Sequence, residues 1–176
     1  PGFNNRNAFI PKENPDIFIA ETCEYKRNFL NFHPRMILIP SLDYDHVDYY
    51  KTRSDYEKAF LELAKKLQKK DYIVLSGGYV KTEFIEKLKA ENEQLNIITY
   101  GFGEENDVIV ENHKIENGRQ SAEVRLNPES IPIKITLQIP GKHNILNAVG
   151  ALSISILLNK RFGKKSFPYK KALKSL

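Results

Sequence analysis

The sequence predicts an α/β fold in which a mostly parallel sheet is flanked by helices and extended by an antiparallel β meander. Over the first hundred residues, short apolar runs alternate with patterns of helical periodicity, which is typical of a parallel sheet with helical crossovers. From residue 107 onward, three strand-like runs follow one another with only turn residues between them, which favours antiparallel pairing. A long apolar helical pattern then closes this region.

The composition fits one folded domain and disfavours two classes of protein. The 176 residues are 41% hydrophobic and 28% charged, as in ordinary globular domains. The net charge is +5, but the lysines stand beside glutamates in helix-like segments, so we expect a solvated face and no nucleic-acid partner. No apolar run has the roughly 18 residues of a membrane span, and we expect no membrane insertion. A single cysteine favours a reducing, cytoplasmic location.

Each predicted strand is a short apolar run bounded by polar or turn residues. Residues 1–16 are rich in Asn, Pro and Gly and are predicted to form a loop that leads into the first strand. The turn signals at 116–118 and 127–128 separate the strands of the meander, which could extend the main sheet or form a small separate one. The predicted strands cover residues 17–20, 36–39, 72–75, 96–100, 107–110, 121–126 and 133–139.

The helices are predicted from their apolar faces and their end signals. Pro34 ends a short first helix that turns Phe29 and Leu30 inward. Residues 54–57, SDYE, open the next helix like a capping box, and its apolar face carries residues 60, 63, 64 and 67. Gly141 breaks the chain before the last helix, which is apolar on most of its surface. The predicted helices cover residues 24–32, 54–70, 81–91 and 143–158.

Two groups of metal-ligand side chains follow the first two predicted strands. Glu21 ends the first strand, and Asp43, Asp45, His46 and Asp48 follow the second. Ligands of a parallel sheet lie outside the carboxyl ends of its strands, so these groups could converge on one divalent cation such as Mg²⁺ or Mn²⁺. The alternatives are a surface glutamate at a strand end and a solvated acidic loop.

A third motif opens the last predicted helix. His143, Asn144 and, one turn later, Asn147 follow Gly141. A helix N-terminus attracts anions, and an Asn amide can both donate to and accept from the edge of an adenine. The alternative is simple capping of the helix by Asn144.

The remaining histidines and the cysteine carry no such pattern. His33 and His113 are interpreted as ordinary surface residues. Cys23 stands between two glutamates, and this negative setting disfavours a thiolate, so we do not expect a nucleophile there.

Together the three motifs resemble the central ATP-binding domain of the Mur ligases of peptidoglycan synthesis. Residues 19–30, IAETCEYKRNFL, resemble the family's acidic element with the pattern AE-[AT]-[DC]-E followed by SFL. Residues 42–48, LDYDHVD, resemble its DHxD element, and residues 140–148, PGKHNILNA, are similar to its PGxHNxxNA helix start. The match covers about residues 1–160.

This resemblance implies an amide ligase that uses ATP and Mg²⁺ or Mn²⁺. Glu21 and His46 would be catalytic and would hold the cation at the ATP γ-phosphate, while His143, Asn144 and Asn147 would belong to the nucleotide pocket. The branch it resembles most joins L-alanine to UDP-N-acetylmuramate through an acyl phosphate. Where several relatives carry a carbamylated lysine, this chain has Ala59–Phe60, which favours that branch or the related tripeptide-recycling ligase.

The resemblance also implies parts that this chain does not carry. We expect the family's phosphate loop before residue 1 and a C-terminal domain after residue 176, so the isolated chain should be inactive. Residues 1–160 would be a partial central domain with the meander at 107–139, and residues 161–176 a linker and the start of a further segment. Pro40–Ser41 stands where the family carries a residue followed by Asn, so we expect the contact made by that Asn to be lost or altered. A non-catalytic nucleotide-binding module is the remaining alternative, followed by a nucleic-acid-binding protein.

Overall fold

The computed structural model describes residues 17–162, and these build one mixed sheet with helices on both faces. The sheet has the order β1-β2-β3-β4-β5-β6; β1 to β4 are parallel, and β5 and β6 are antiparallel to their neighbours. The predicted α/β class is therefore confirmed, and the meander extends the main sheet. The strands are β1 Met36–Ile39, β2 Tyr72–Ser76, β3 Asn96–Phe102, β4 Val108–Glu116, β5 Arg119–Arg125 and β6 Ile133–Leu137.

The strands form where their side chains can be buried. β2 lies between β1 and β3 and is buried along nearly its whole length, which explains its unbroken apolar sequence. β4 and β5 are joined by Asn117 and Gly118, whose φ angles are 51° and 74°. Positive φ at both central residues is the requirement of the tight hairpin turn, and Asn-Gly meets it at low cost.

The two faces of the sheet carry different helices. On one face, α1 (Arg53–Ala64) and α2 (Thr82–Glu91) cover Ile37, Ile39 and the matching residues of β2. On the other face, α3 (Lys142–Phe162) covers the alternate residues of the same strands and the inner face of the meander. This arrangement buries both faces of the parallel strands, as period-two alternation requires.

α1 begins and ends differently from the prediction. Its cap is Thr52, whose hydroxyl accepts the Asp55 N–H at 3.1 Å, so the predicted capping box at 54–57 lies inside the helix. The helix ends at Ala64 and not near residue 70. Its predicted apolar face is nevertheless buried, and Leu67 is buried in the segment that follows.

The predicted strand at 17–20 is wrong. These residues have no regular secondary structure, and Phe18 and Ile19 are 82% and 70% exposed. An apolar run becomes a strand only when a neighbouring strand satisfies its backbone hydrogen bonds, and within residues 17–162 β1 pairs only with β2. The predicted loop at 1–16 and the predicted linker from residue 163 lie outside the described residues.

The short first helix is a 3₁₀ segment, Tyr25–Asn31, with a kink. Lys26 and Arg27 have φ angles of 51° and 60°, in the left-handed region. The kink turns Phe29 into the core, where it is 3% exposed and meets the Phe60 ring edge-on at 5.1 Å. Leu30 is half-buried.

The direction of α3 relative to the sheet follows from the strand pairing. β6 is parallel to β4, so it ends at the carboxyl edge of the parallel strands, and α3 starts there. The other end of α3 reaches the opposite edge, where the Arg161 guanidinium lies 3.1 Å from the buried carboxylate of Asp71, just before β2. α3 thus crosses the sheet from one edge to the other.

Candidate functional site at the carboxyl edge of the sheet

His46 is held in a strained loop after β1. Its φ is 53°, a conformation that costs a residue with a Cβ about 1–3 kcal/mol. The loop compensates with hydrogen bonds: the His46 N–H donates to the Asp45 carboxylate at 2.6 Å, and the His46 carbonyl accepts from the N–H groups of Tyr49 and Tyr50, each at 2.9 Å. The backbone therefore presents the His46 imidazole in a defined direction.

That imidazole meets the segment before the 3₁₀ turn. His46 Nε2 lies 3.5 Å from Glu24 Oε1 and 4.0 Å from Cys23 Sγ. One ligand atom from each of the three side chains lies within 4.8 Å of the others. We call this group the Cys23–Glu24–His46 cluster; Cys23 is exposed, and the other two are half-buried.

Tyrosines hold the cluster from the core side. The Tyr56 hydroxyl, on α1, donates to Glu24 Oε1 at 3.1 Å, and the Tyr50 hydroxyl donates to the Glu24 carbonyl at 2.6 Å. Burial, followed by the Glu24 charge, raises the pKa of Tyr56, so it stays a protonated donor. Glu24 is therefore fixed at both its backbone and its carboxylate.

A further tyrosine covers the His46 ring. The Tyr25 ring lies 4.9 Å from it, and the Tyr25 hydroxyl donates to Asp48 Oδ2 at 2.9 Å. This hydrogen bond is the main cause that lowers the pKa of Asp48 and raises the pKa of Tyr25. Asp48 is thus an ionised carboxylate next to the cluster.

The predicted ligand Glu21 has no such neighbourhood. Its side chain is exposed and makes no hydrogen bond or ion pair with residues 17–162. Asp43 is also exposed and accepts the Ser41 hydroxyl at 2.7 Å. Sequence reasoning missed Glu24, although it belongs to the quoted acidic element, and it missed Tyr56, whose role depends on packing alone.

At the start of α3, the predicted nucleotide-pocket residues split into two kinds. His143 and Asn147 are exposed, whereas Asn144 is half-buried and its amide donates to the Pro140 carbonyl at 2.7 Å. Gly141 has a φ of 107°, and a Cβ there would lie 2.7 Å from the His143 ring. The turn therefore needs glycine, and it leaves His143 and Asn147 available to a ligand.

A buried glutamine anchors this turn. The amide of Gln120, 1% exposed on β5, donates to the carbonyls of Ile139 at 2.5 Å and Gly141 at 3.0 Å. The Gln120 oxygen lies 2.9 Å from Nε2 of His113. The interpretation of His113 as an ordinary surface residue is thus wrong, because it supports the residue that positions the start of α3.

The two halves of the predicted site lie at one edge of the sheet but at its opposite ends. His46 follows β1 and His143 follows β6, but α3 also packs against β1, where a Cβ on Gly150 would lie 3.0 Å from a methyl of Leu38. Two open grooves, of about 370 and 450 Å³, lie elsewhere, between α1 and α2 and beside the β4–β5 turn. Neither groove is lined by a predicted site residue.

The side chains of the two halves match the chemistry of a divalent cation and of a nucleotide to different degrees. A carboxylate beside a neutral imidazole, open to solvent, suits a cation that also takes water and phosphate ligands. The first turn of α3, where His143 is exposed, suits an anion or a base edge. Of the donors in the cluster, the Glu24 carboxylate is the type that a magnesium ion favours, ahead of the imidazole and the thiol.

This fold, with an acidic and histidine-bearing loop after β1 and a glycine-initiated helix after β6, is that of an α/β domain with its candidate ligand groups at the carboxyl edge of a parallel sheet. The family model of the Mur ligase middle domain matches residues 2–155. The chain belongs to this family. None of the helices among residues 17–162 is long and apolar enough to cross a membrane.

Curated relatives are about one-third identical to the chain over the aligned residues. A UDP-N-acetylmuramate–L-alanine ligase of Clostridium beijerinckii is 34% identical over 147 residues, which are 83% of this chain and 31% of the relative. The enzyme of the same name from Clostridium acetobutylicum is 34% identical over 155 residues, 88% of this chain and 32% of the relative. The chain thus spans about a third of the length of these relatives.

Solved structures share the fold. The UDP-N-acetylmuramate:L-alanyl-gamma-D-glutamyl-meso-diaminopimelate ligase of Neisseria meningitides has a TM-score of 0.63 at 16% identity, over 85% of this chain and 42% of that one. MurF of Acinetobacter baumannii has a TM-score of 0.59 at 16% identity, over 72% and 26%. MurF of Thermotoga maritima, solved with ADP, has a TM-score of 0.53 at 14% identity, over 74% and 28%.

Proposed function

We propose that this chain is the central domain of a cytoplasmic, ATP-dependent ligase that joins L-alanine to UDP-N-acetylmuramate in peptidoglycan precursor synthesis. The observation that supports it is the name shared by the curated relatives at 34% identity over most of the chain. The family as a whole supports a ligase of peptidoglycan synthesis; the choice of L-alanine is our proposal.

In this proposal the loop after β1 forms the phosphate half of the site. Glu21 and His46 are the proposed cation ligands, and Glu24, 3.5 Å from His46, is a second carboxylate that could join them. A bound Mg²⁺ would supply positive charge that neutralises the phosphates during acyl phosphate formation. The chain's own contribution is to hold the imidazole by the strained loop and the Glu24 carboxylate by the Tyr56 hydroxyl.

The start of α3 forms the proposed nucleotide half. His143 and Asn147 are exposed at the start of α3, where the Asn144 N–H already donates to the Gly141 carbonyl at 3.0 Å. Asn144 is already used to fix the turn through the Pro140 carbonyl, so its proposed role is to shape this subsite as well as to contact the base. The buried Gln120 amide holds the turn through its hydrogen bonds to the carbonyls of Ile139 and Gly141.

The test is ADP release by the full-length protein with ATP, Mg²⁺, UDP-N-acetylmuramate and a panel of amino acids. We expect release with L-alanine, and we expect Glu21→Ala and His46→Ala each to lower the rate by at least about 10²-fold. Glu93→Ala is the matched control, because Glu93 is an exposed carboxylate after α2, away from both halves.

Each other outcome selects a different conclusion. Wild-type rates in Glu21→Ala and His46→Ala would remove both residues from the cation site. Release only with a preformed peptide would assign the protein to the tripeptide-recycling ligases. If no substrate releases ADP, the ligase proposal is wrong and a non-catalytic nucleotide-binding module replaces it.

A further inference from the structure

We propose that Gln120 and His113 are positioning residues for the nucleotide half of the site, which set the affinity for ATP through the turn that begins α3. Neither residue belongs to the three motifs, and neither has to contact the nucleotide. Both assignments rest on the proposed function for the identity of the ligand. The steps of the argument are the turn, the orientation of the Gln120 amide and the position of His113.

The turn before α3 is held at three consecutive backbone carbonyls, those of residues 139–141. The Gln120 amide donates to the first at 2.5 Å and to the third at 3.0 Å, and the Asn144 amide donates to the second at 2.7 Å. The His143 ring lies directly over this turn, since a Cβ on Gly141 would be 2.7 Å from it. A displacement of the turn therefore moves His143, one of the exposed residues proposed to meet the nucleotide.

The Gln120 amide has a single orientation that satisfies its neighbours. Its nitrogen carries two N–H groups, and both face carbonyl oxygens, which only accept. The Gln120 oxygen then faces His113 Nε2 at 2.9 Å, so this nitrogen carries the proton and donates. A rotated amide would place its oxygen against two carbonyl oxygens. Gln120 is 1% exposed, so solvent has little access to replace the His113 donor.

A bulge in β4 brings His113 to Gln120. The pairing of β4 with β5 shifts by one residue between Glu111 and Lys114. Val110 packs in the core under α3 before the shift, and His113 meets the buried Gln120 after it. These two positions are three residues apart, and uninterrupted alternation would place them on opposite faces of the sheet. The extra residue of the bulge therefore turns His113 to the face that carries α3.

The end of β3 supports both His113 and the first residue of α3. The Phe102 ring packs edge-on against the His113 ring, with 5.8 Å between the centroids. The Lys142 ammonium lies 5.6 Å from the centroid of the same Phe102 ring, within the range of a cation–π contact. His113 is half-buried by this packing. Side chains of β3, β4 and β5 thus hold the start of α3 together.

The experiment is equilibrium titration of the full-length protein with mant-ATP, a fluorescent ATP analogue, and Mg²⁺, without UDP-N-acetylmuramate or amino acid. His113→Phe keeps a ring against Phe102 but removes the donor, and it should raise the Kd by about 10-fold. The reason is that only molecules with the turn in place bind the nucleotide. His113→Gln should restore most of the affinity, because its amide nitrogen reaches the position of Nε2.

Gln120→Glu tests the amide itself. It keeps the shape of the side chain but sets carboxylate oxygens against the two carbonyls, so the Kd should rise by about 10–100-fold. Gln138→Glu is the matched control, because Gln138 is exposed between β6 and the turn and receives the same charge; its Kd should equal that of the wild type. In the ligase assay, the KM for ATP should rise in His113→Phe, while kcat and the KM for UDP-N-acetylmuramate stay unchanged.

Several outcomes would overturn these assignments. Unchanged Kd values in His113→Phe and Gln120→Glu would do so, as would fewer binding sites at unchanged affinity, which is the result of a merely structural role. His113→Gln binding as weakly as His113→Phe would refute the Nε2 hydrogen bond. A wild type that does not bind mant-ATP would refute both the assignments and the nucleotide half. If the variants weaken binding as expected but no amino acid gives ADP release, the assignments are supported and the ligase proposal fails.

Discussion

Gly150 sets how closely α3 approaches the sheet, and replacing it with alanine tests this packing. Gly150 is buried in the middle of α3. A Cβ there would lie 2.8 Å from the Tyr100 hydroxyl oxygen, 2.9 Å from its ring carbon and 3.0 Å from a methyl of Leu38. Tyr100 is completely buried, so its ring has no free space into which to move.

Two effects of opposite sign determine the outcome. Alanine in place of glycine inside a helix contributes about 1 kcal/mol of helix propensity. Forcing an extra carbon into a packed core costs typically about 1–3 kcal/mol, and three contacts at or below 3.0 Å place Gly150→Ala at the upper part of that range. We therefore expect a net loss of about 1–2 kcal/mol, which lowers the melting temperature by about 2–8 °C.

Thermal and urea unfolding followed by circular dichroism measure this loss. Ala151→Gly is the control for propensity, because Ala151 is the exposed neighbour in the same helix, and it should cost about 1 kcal/mol. Tyr100→Phe removes the closest atom, so Gly150→Ala should cost less in that background than in the wild type. A Gly150→Ala protein that melts higher than the wild type would refute the packing argument.

Two further predictions concern buried ionisable groups. Burial raises the pKa of Tyr100 to about 12, so as the pH rises the unfolded chain loses the Tyr100 proton before the folded chain does. The protonated Tyr100 therefore contributes fully to the free energy of unfolding below pH 10, and about 3 kcal/mol of that free energy is lost between about pH 10 and 12. Between pH 10 and 12 the urea unfolding midpoint should fall less steeply with pH in Tyr100→Phe than in the wild type. Equal pH dependence in the two proteins would contradict the raised pKa of Tyr100. Asp71→Asn removes a buried carboxylate that lies 3.1 Å from the Arg161 guanidinium and 3.7 Å from that of Arg35, and it should cost about 3 kcal/mol. Glu91→Gln, which breaks an exposed pair with Lys65 at 2.8 Å, should cost less than about 1 kcal/mol, and similar unfolding midpoints for both variants would show that burial does not matter.

The fold was predictable to the level of the individual strand, with one instructive exception. The apolar runs of β1, β2 and β3 were recognised because parallel strands covered on both faces leave a continuous apolar sequence. The run at 17–20 has the same local pattern, yet it forms no strand among the described residues. Local pattern reports the preference of a segment, whereas hydrogen bonding to a partner strand decides whether it becomes a strand.

The candidate site was predictable in its segments and not in its contacts. The motifs at 19–30, 42–48 and 140–148 contain most of the residues that the structure places at the carboxyl edge. The spacing of the sequence does not show which acidic residue contacts His46. The kink at Lys26 and Arg27 sets how residues 21–24 approach the loop after β1, and this kink is a feature of the folded structure. Gln120 and Tyr56 could not be found either, since each acts across a distance in sequence.

The sequence by itself determined the α/β class, the order of the elements after residue 20 and the family resemblance, because each depends on local periodicity, turn residues and short motifs. Only the tertiary structure decided that the meander extends the main sheet, that Glu24 lies against His46 with Cys23 beside it, and that Gln120 anchors the start of α3. These contacts join residues from different elements, and their geometry is set by how α1, the sheet and α3 pack. Packing is a property of the whole chain, so no single segment carries it.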